Sequence, residues 1–558
     1  MIPLRVRCLL PSSFTIATAI AITLASAVFQ SLAQTQTNTS PAPIALEAEK
    51  GVLTGTSVST SFKGYSGTGY VTGFDATGDF VRWNFSAVSG LYNLSIRYRT
   101  PYGQKGFAGT LNGTGFSGMF LATSAYTSFD VGLVELAGGT NVLEIGGGWN
   151  WYEIDKVDLA PATPPAPPLP VDPTPVDPKA TPAARALLKD LAADYGTVTW
   201  SGQYNAAEIP FILQTTGQRP AIVAGDFIDY SPSRVAFAGI PADYTEKMIA
   251  LEKTGYVLSM NWHWNAPTNL LNTQEQPWYS GFYTAATTFD VAAALANTNS
   301  TEYTLLLRDM DAIATQLKKF DAAGIPLLWR PLHESEGAWF WWGAKGPEAF
   351  KTLWRLLFDR IVNHHGLHNL VWVLSSEDPA WYPGNDVVDI IGVDGYPPDR
   401  TDVLYPNWQA LKKRLDGVKL IALSEFGGVP DIERMHRFGV WWCYFAPWSG
   451  TYGPSSMPTN TVQRIYRSAE VVSLEEINAN ALPPRFSVFQ MNGLGIPHMH
   501  LEGRGPRGAN FNLLISDDPA LPAANWQSLR TGVFSGGVFS FDDPAGSVTR
   551  RFYRLKSP

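Results

Sequence analysis

Cysteine is nearly absent: the 558 residues hold two, Cys8 and Cys443. Cys8 falls in an N-terminal stretch that reads as a cleavable signal. One thiol then remains, so an internal disulfide framework is excluded. Its flanks, Trp441-Trp442-Cys443-Tyr444-Phe445, read as a buried strand rather than the setting of a nucleophile. Basic charge is also scarce, with 41 Lys and Arg against 49 Asp and Glu and a net charge of −8. That balance lacks the basic footprint of a nucleic-acid binder. Beyond residue 33 no apolar run reaches the roughly 18 residues that a membrane span needs. The 50 Gly and 41 Pro follow no three-residue period, which excludes collagen. No internal repeat of about 20–50 residues is present.

What the chain does have is apolar and aromatic mass. It is 45 % hydrophobic, so a disordered chain is ruled out. Its 19 Trp are the unusual number. Large flat rings serve either a big core or a ligand with flat apolar faces, such as a sugar. At about 150 residues per domain, the length predicts three to four domains.

Three composition breaks divide the chain. Residues 1–33 carry Arg5 and Arg7, an apolar stretch from Phe14 to Phe29 and the small-residue site Ser31-Leu32-Ala33, the pattern of a secretory signal. The mature protein is therefore expected outside the cell or on its surface, soluble and monomeric. From Pro161 to Pro182 roughly every second residue is Pro, which predicts a stiff extended spacer. Leu482-Pro483-Pro484 introduces a last piece, 484–558, that reads as β-rich.

Residues 44–160 show short alternating runs such as Phe80-Val81-Arg82-Trp83-Asn84-Phe85 between Gly-rich turns, and predict a β-sandwich. Residues 183–475 alternate instead. Eight apolar runs, 198–202, 221–226, 256–262, 326–331, 370–374, 388–393, 420–424 and 440–445, are separated by helical stretches such as 302–320 and 347–364. Eight strand-then-helix units in this length predict a (β/α)8 barrel. An open doubly wound sheet is the alternative, but Gly225-Asp226-Phe227 is no phosphate loop.

A barrel carries its chemistry at the C-terminal strand ends. Strand 3 runs into Asn261-Trp262-His263, strand 4 into Arg330-Pro331-Leu332-His333-Glu334, strand 6 into Gly392-Val393-Asp394-Gly395-Tyr396 and strand 7 into Leu423-Ser424-Glu425. Glu334 and Glu425 then face each other across the mouth. Two opposed carboxylates are what glycoside cleavage needs, one protonated and one ionised. Arg330 is placed to hold the nucleophile ionised, and Tyr396 to donate to the same carboxylate. His333 and the aromatic run Trp339-Phe340-Trp341-Trp342 give Glu334 a dry setting that raises an acid's pKa. Glu336, Glu377 and Asp378 are decoys.

With these motifs, 183–475 resembles a glycoside hydrolase family 26 catalytic domain, whose best-known members are endo-β-1,4-mannanases. The run from Arg330 to Gly343 is the strongest match. The resemblance implies Glu334 as acid/base, Glu425 as nucleophile, and sugar contacts from His263, Trp278, Arg330, His333, Trp339, Tyr396 and Trp448. It implies a retaining mechanism on a plant β-mannan, without a catalytic cofactor. Lichenase, β-1,3-xylanase and exo-acting members of the family, and a non-catalytic binding protein, are the alternatives.

Residues 44–160 resemble a family 35 carbohydrate-binding module through Leu46-Glu47-Ala48-Glu49, Gly64-Tyr65-Ser66-Gly67-Thr68-Gly69-Tyr70 and Glu153-Ile154-Asp155-Lys156-Val157. Glu47 and Glu49 alternate, and with Asp155 supply the hard oxygens that Ca²⁺ takes. The resemblance implies a structural calcium there; solvated edge carboxylates are the alternative. It also implies a sugar site near Trp149, Trp151 and Glu153. The tail 484–558 resembles a module recurrent in large secreted bacterial proteins. Its His498 and His500 read as surface residues rather than metal ligands.

Overall fold

The computed structural model describes residues 41–241, 243–477, 485–492, 498–504, 510–517, 521, 525–533, 538–543 and 551–556. The proposed signal, residues 1–33, lies outside the described residues.

The N-terminal part is two facing antiparallel sheets. One has six strands, built on Glu153–Ala162, Gly90–Thr100 and Thr123–Leu136, and the other five, built on Phe80–Ala87, Gly139–Gly146 and Lys105–Leu111. Alternation explains the layering: Leu94, Ile96 and Tyr98 of one sheet point inward with Val81, Trp83, Leu143 and Ile145 of the other.

The central part is a closed parallel barrel of strands β1 (Thr199–Tyr204), β2 (Ile222–Asp226), β3 (Val257–Trp262), β4 (Leu327–Pro331), β5 (Leu370–Ser375), β6 (Ile390–Gly395), β7 (Leu420–Phe426) and β8 (Tyr444–Pro447). β1 pairs with both β2 and β8 and so closes the ring. Ten Trp, among them Trp200, Trp262, Trp264, Trp329, Trp372 and Trp442, are less than 2 % exposed and fill this core. Most of the Trp excess is therefore structural. Cys443 is buried just before β8, and burial pushes its thiol up. Among the described residues no helix is long and apolar enough to cross a membrane. The C-terminal strands form two three-stranded antiparallel sheets. His498–Arg504, the strand that holds His498 and His500, is the middle strand of one of them.

The Pro-rich segment differs from a free-standing spacer. It carries neither helix nor strand from 163 to 175, yet it lies along the barrel. Leu169 N–H donates to Asp416 Oδ1 (2.7 Å), Val176 N–H to Asp389 Oδ1 (2.8 Å), and Val171 joins the barrel core. Proline fixes the extended backbone; of the N–H groups left between prolines, those of Leu169 and Val176 find barrel carboxylates, while that of Thr174 donates to Asp172. Leu91 and Leu133 of the sandwich also reach the barrel core, and Arg437 Nε meets Glu135 Oε1 at 2.8 Å.

Asp389 is 5 % exposed and accepts from the backbone N–H of both Val176 and Trp372. Asp389→Ala strands both donors. Chemical denaturation is expected to show a loss of about 1–3 kcal/mol, the usual cost of an orphaned buried group; an unchanged midpoint would mean that the segment is not anchored there.

Candidate active site

Glu334 follows β4 in an unusual turn. Leu332 and Glu334 have φ of 54° and 53°, the left-handed region that non-glycine residues rarely occupy. This strain turns the Glu334 carboxyl over the barrel mouth. Trp339 Nε1 donates to Glu334 Oε2 (2.9 Å), and the indole lies against Gly337, where any β-carbon would collide with the ring. Burial, and then the charge of Glu425, raise the Glu334 pKa; the Trp339 hydrogen bond opposes them.

Glu425 lies within β7, which runs two residues past the predicted end. Ladder irregularities fall between Gly392 and Asp394 and between Leu423 and Phe426, where they re-aim Asp394 and Glu425. Arg330 is fully buried and bridges the two: Nη2 to Glu425 Oε2 (2.6 Å) and Nη1 to Asp394 Oδ2 (2.5 Å). Nη2 also donates to the Tyr204 hydroxyl. Tyr396 O–H donates to Glu425 Oε1 at 2.5 Å, its ring laid on the backbone of Gly427. Both oxygens of Glu425 thus accept from fixed donors, the presentation of a carboxylate. Burial raises Asp394, with Arg330 opposing and the charges of Glu425 and Glu334 adding to the rise.

His263 and His333 form a second cluster, with Nε2 atoms 3.2 Å apart. His263 Nδ1 faces Asp226 Oδ2, and His263 N–H donates to Asp226 Oδ1 (3.0 Å). Burial disfavours a charged His263, but Asp226 outweighs it and the net shift is upward. His333 is pushed well down, by burial and then by Arg330 and His263. The two rings are therefore pushed in opposite directions, His263 up and His333 down, and Asp226 fixes the His263 tautomer.

The remaining expected contacts divide. Trp339 and Tyr396 are 49 % and 42 % exposed at the mouth, so each presents a ring face to solvent. Trp448 tilts over Tyr204, with centroids 4.7 Å apart. Trp278 stacks on Phe237 (5.4 Å, 6°) and receives the Arg234 guanidinium. Glu336 accepts from the backbone of Glu377 and Asp378 and from Ser376, a loop-pinning role. Tyr204, Asp226 and Asp394 are functional neighbours absent from the sequence candidates. Tyr204 and Asp226 end their strands and Asp394 stands one residue before the end of β6, so all three lie at C-terminal strand ends.

In the sandwich, Trp149 and Trp151 are 62 % and 54 % exposed on a turn where Asn150 and Trp151 have positive φ. Glu153, expected beside them as a sugar ligand, is 8 % exposed and accepts from Arg99 at 2.6 and 2.8 Å. Of the expected calcium set, Asp155 is fully buried, paired with Arg97 and accepts from Ser66. Glu47 and Glu49 do converge on the turn at Gly67, and Glu49 Oε2 is buried without a partner. Among the described residues, the group of three carboxylate or imidazole side chains with ligand atoms within 4.8 Å of one another is Asp311, His364 and His365, not this one.

Comparison with known proteins agrees with this geometry. The family model for glycosyl hydrolase family 26 matches residues 176–476, and that for carbohydrate-binding module family 35 matches 44–162. The chain is 43 % identical to a mannan endo-1,4-β-mannosidase of Thermothelomyces thermophilus over 77 % of its own length and 90 % of that protein. It is 34 % identical to mannan endo-1,4-β-mannosidase A of Piromyces over 73 % and 68 %. Among solved structures, the GH26-CBM35 β-(1,4)-mannanase of Podospora anserina superposes with TM-score 0.59 at 43 % identity, covering 78 % of this chain and 98 % of that one. A ruminal GH26 endo-β-1,4-mannanase gives TM-score 0.60 at 27 % identity, over 78 % and 98 %. With a barrel whose β4 and β7 carry Glu334 and Glu425, joined to a β-sandwich, the chain belongs to glycosyl hydrolase family 26 and carries a family 35 carbohydrate-binding module.

Proposed function

We propose that this protein is a secreted, retaining endo-β-1,4-mannanase acting on mannan-type plant polysaccharides. The observation that carries the reading is the unequal setting of the two carboxyls: Glu425 is held by Arg330 and Tyr396, while Glu334 is pushed up by burial and by Glu425. The names of its relatives supply the substrate class.

In the first step Glu334 gives its proton to the glycosidic oxygen while Glu425 attacks the anomeric carbon. The C–O bond breaks and the leaving sugar departs with the proton. The ester that forms removes the Glu425 charge, and with it one cause of the raised Glu334 pKa. Glu334 then suits the base role: it takes a proton from water, the oxygen attacks the anomeric carbon, and the Glu425 carboxylate is released. His263 and His333, whose pKa values move in opposite directions, orient sugar hydroxyls at the same mouth, and Trp339 and Trp448 offer faces to sugar rings.

Glu334→Ala and Glu425→Ala should each lower mannan hydrolysis by about 10²–10⁴-fold or more with folding intact. Activity surviving loss of Glu425 would sink the assignment, and preference for lichenan or β-1,3-xylan over mannan would redirect the substrate. Trp339→Phe removes a donor that lowers the Glu334 pKa. The protonated acid then persists further, so the alkaline limb of the kcat/KM profile should move to higher pH; a shift to lower pH would contradict this role. For the sandwich, a Ca²⁺ held by Glu47 and Glu49 is proposed on the strength of the orphaned Glu49 oxygen. Chelation should then lower the melting temperature of the intact protein by several degrees, and Glu49→Gln should abolish that response.

A further inference from the structure

The loops that follow β6, β7 and β8 meet on one side chain to which the two-carboxylate mechanism gives no task. Arg400 stands in the segment after β6, four residues past Tyr396. Its Nε donates to the carbonyl of Gly427, the residue after β7 (3.3 Å). Its Nη1 donates to the Ser456 hydroxyl (2.8 Å) and its Nη2 to the Gly453 carbonyl (3.1 Å), both in the loop after β8. All three acceptors are neutral oxygens. What the guanidinium supplies here is a planar fork of donors, not a charge pair. The backbone shares in the junction, because Val429 N–H donates to the Arg400 carbonyl at 3.0 Å.

The tied loops supply two walls for Tyr396. One is Gly427, where a β-carbon would come within 2.4 Å of the Tyr396 ring. Gly427 N–H donates to the Gly395 carbonyl (2.9 Å) and its own carbonyl accepts from Arg400, so both its backbone groups are held. The other wall is Tyr452, whose ring meets Tyr396 edge to face, with centroids 5.2 Å apart at 88°. Tyr452 is 51 % exposed, so its place is set by the loop that carries it. That loop is gripped twice. Arg400 holds it at Gly453 and Ser456, and Glu208, after β1, accepts from Gly450 N–H (3.0 Å) and from the Ser455 hydroxyl (3.1 Å). Tyr396 needs both walls, because its hydroxyl has to meet Glu425 Oε1 at 2.5 Å while its ring is 42 % exposed. A hydrogen bond weakens steeply as it bends, so a ring free to rock on its side-chain torsions loses it.

We propose that Arg400 is a positioning residue: by clasping the loops after β6, β7 and β8 it holds the Tyr396 hydroxyl on the nucleophile. The inference rests on the mannanase reading, with Glu425 as nucleophile, and adds to it a residue that acts through Tyr396.

The test is a double-mutant cycle in the full chain, with kcat and KM on mannan measured for wild type, Arg400→Ala, Tyr396→Phe and the pair. Thermal melting checks that each variant is folded at the assay temperature. Tyr396→Phe removes one hydrogen bond to a charged group and should lower kcat about 10–100-fold. Arg400→Ala should lower kcat about 10-fold and leave KM within about twofold, since no sugar contact is removed. In the Tyr396→Phe background the same change should lose no more than about twofold, because the hydroxyl it serves is already gone. A residue that merely supports the fold would lower activity by the same factor in both backgrounds. Arg400→Lys keeps the charge without the fork. It should lose about threefold or more, again only where the Tyr396 hydroxyl is present, and it decides the matter should Arg400→Ala fail to fold. Losses that multiply in the pair, no loss from either Arg400 variant, or no loss from Tyr396→Phe would overturn the clasp and leave the mannanase reading standing. A wild-type chain that does not cleave mannan would overturn both.

Discussion

The site depends on one buried cation. Arg330 is fully enclosed, with Asp394 on one side of its guanidinium, Glu425 on the other, and the Tyr204 hydroxyl against Nη2. A buried ion pair seldom adds net stability, because desolvation consumes most of the attraction, yet losing one partner costs several kcal/mol. The arrangement is affordable only inside a scaffold with a large apolar surplus. The barrel's ten enclosed Trp side chains provide it. What the cation secures is orientation. N–H groups on the two Nη atoms of one planar guanidinium fix Asp394 and Glu425 relative to each other, which a lysine point charge would not do.

From that constraint the rest of the electrostatics follows. Glu425, held at a fixed distance from Glu334, is one of the charges that raise the acid. Burial, then Arg330 and His263, press His333 towards neutrality, while Asp226 more than offsets the burial that disfavours a charged His263. In the proposed double displacement, ester formation at Glu425 removes one cause of the raised Glu334 pKa, so charge couples the two halves, while burial remains the larger cause.

Sequence reading reached this far for physical reasons that differ from residue to residue. The barrel was legible because eight apolar runs recur with helices between them, and Glu334 and Glu425 because strand ends mark a barrel's mouth. Bulges are local backbone events with no composition signal, so the reach of β7 past Glu425 was not legible. Asp394 stood in a quoted motif, but only the closed ring shows that it shares Arg330 with Glu425. Tyr204 and Asp226 end strands whose termini carried no paired carboxylate to draw attention. In the sandwich, Glu153 and Asp155 carry the right atoms for sugar and calcium. Arg99 and Arg97, some 55 residues away in sequence, also pair with those carboxylates, and cross-strand pairing of that span cannot be read from spacing. The proline segment shows the same limit: composition specifies an extended backbone, not the surface it lies on.

The central claim is that Glu425 becomes covalently bonded to sugar while Glu334 moves the proton. Mass spectrometry of the Glu334→Ala variant, incubated with a β-mannosyl substrate bearing a good leaving group, tests it most directly, because slow turnover of the ester lets it accumulate. The account predicts a glycosyl adduct on the peptide that contains Glu425. An adduct on Asp394 or Glu336, or none under conditions where the leaving group is released, would contradict it.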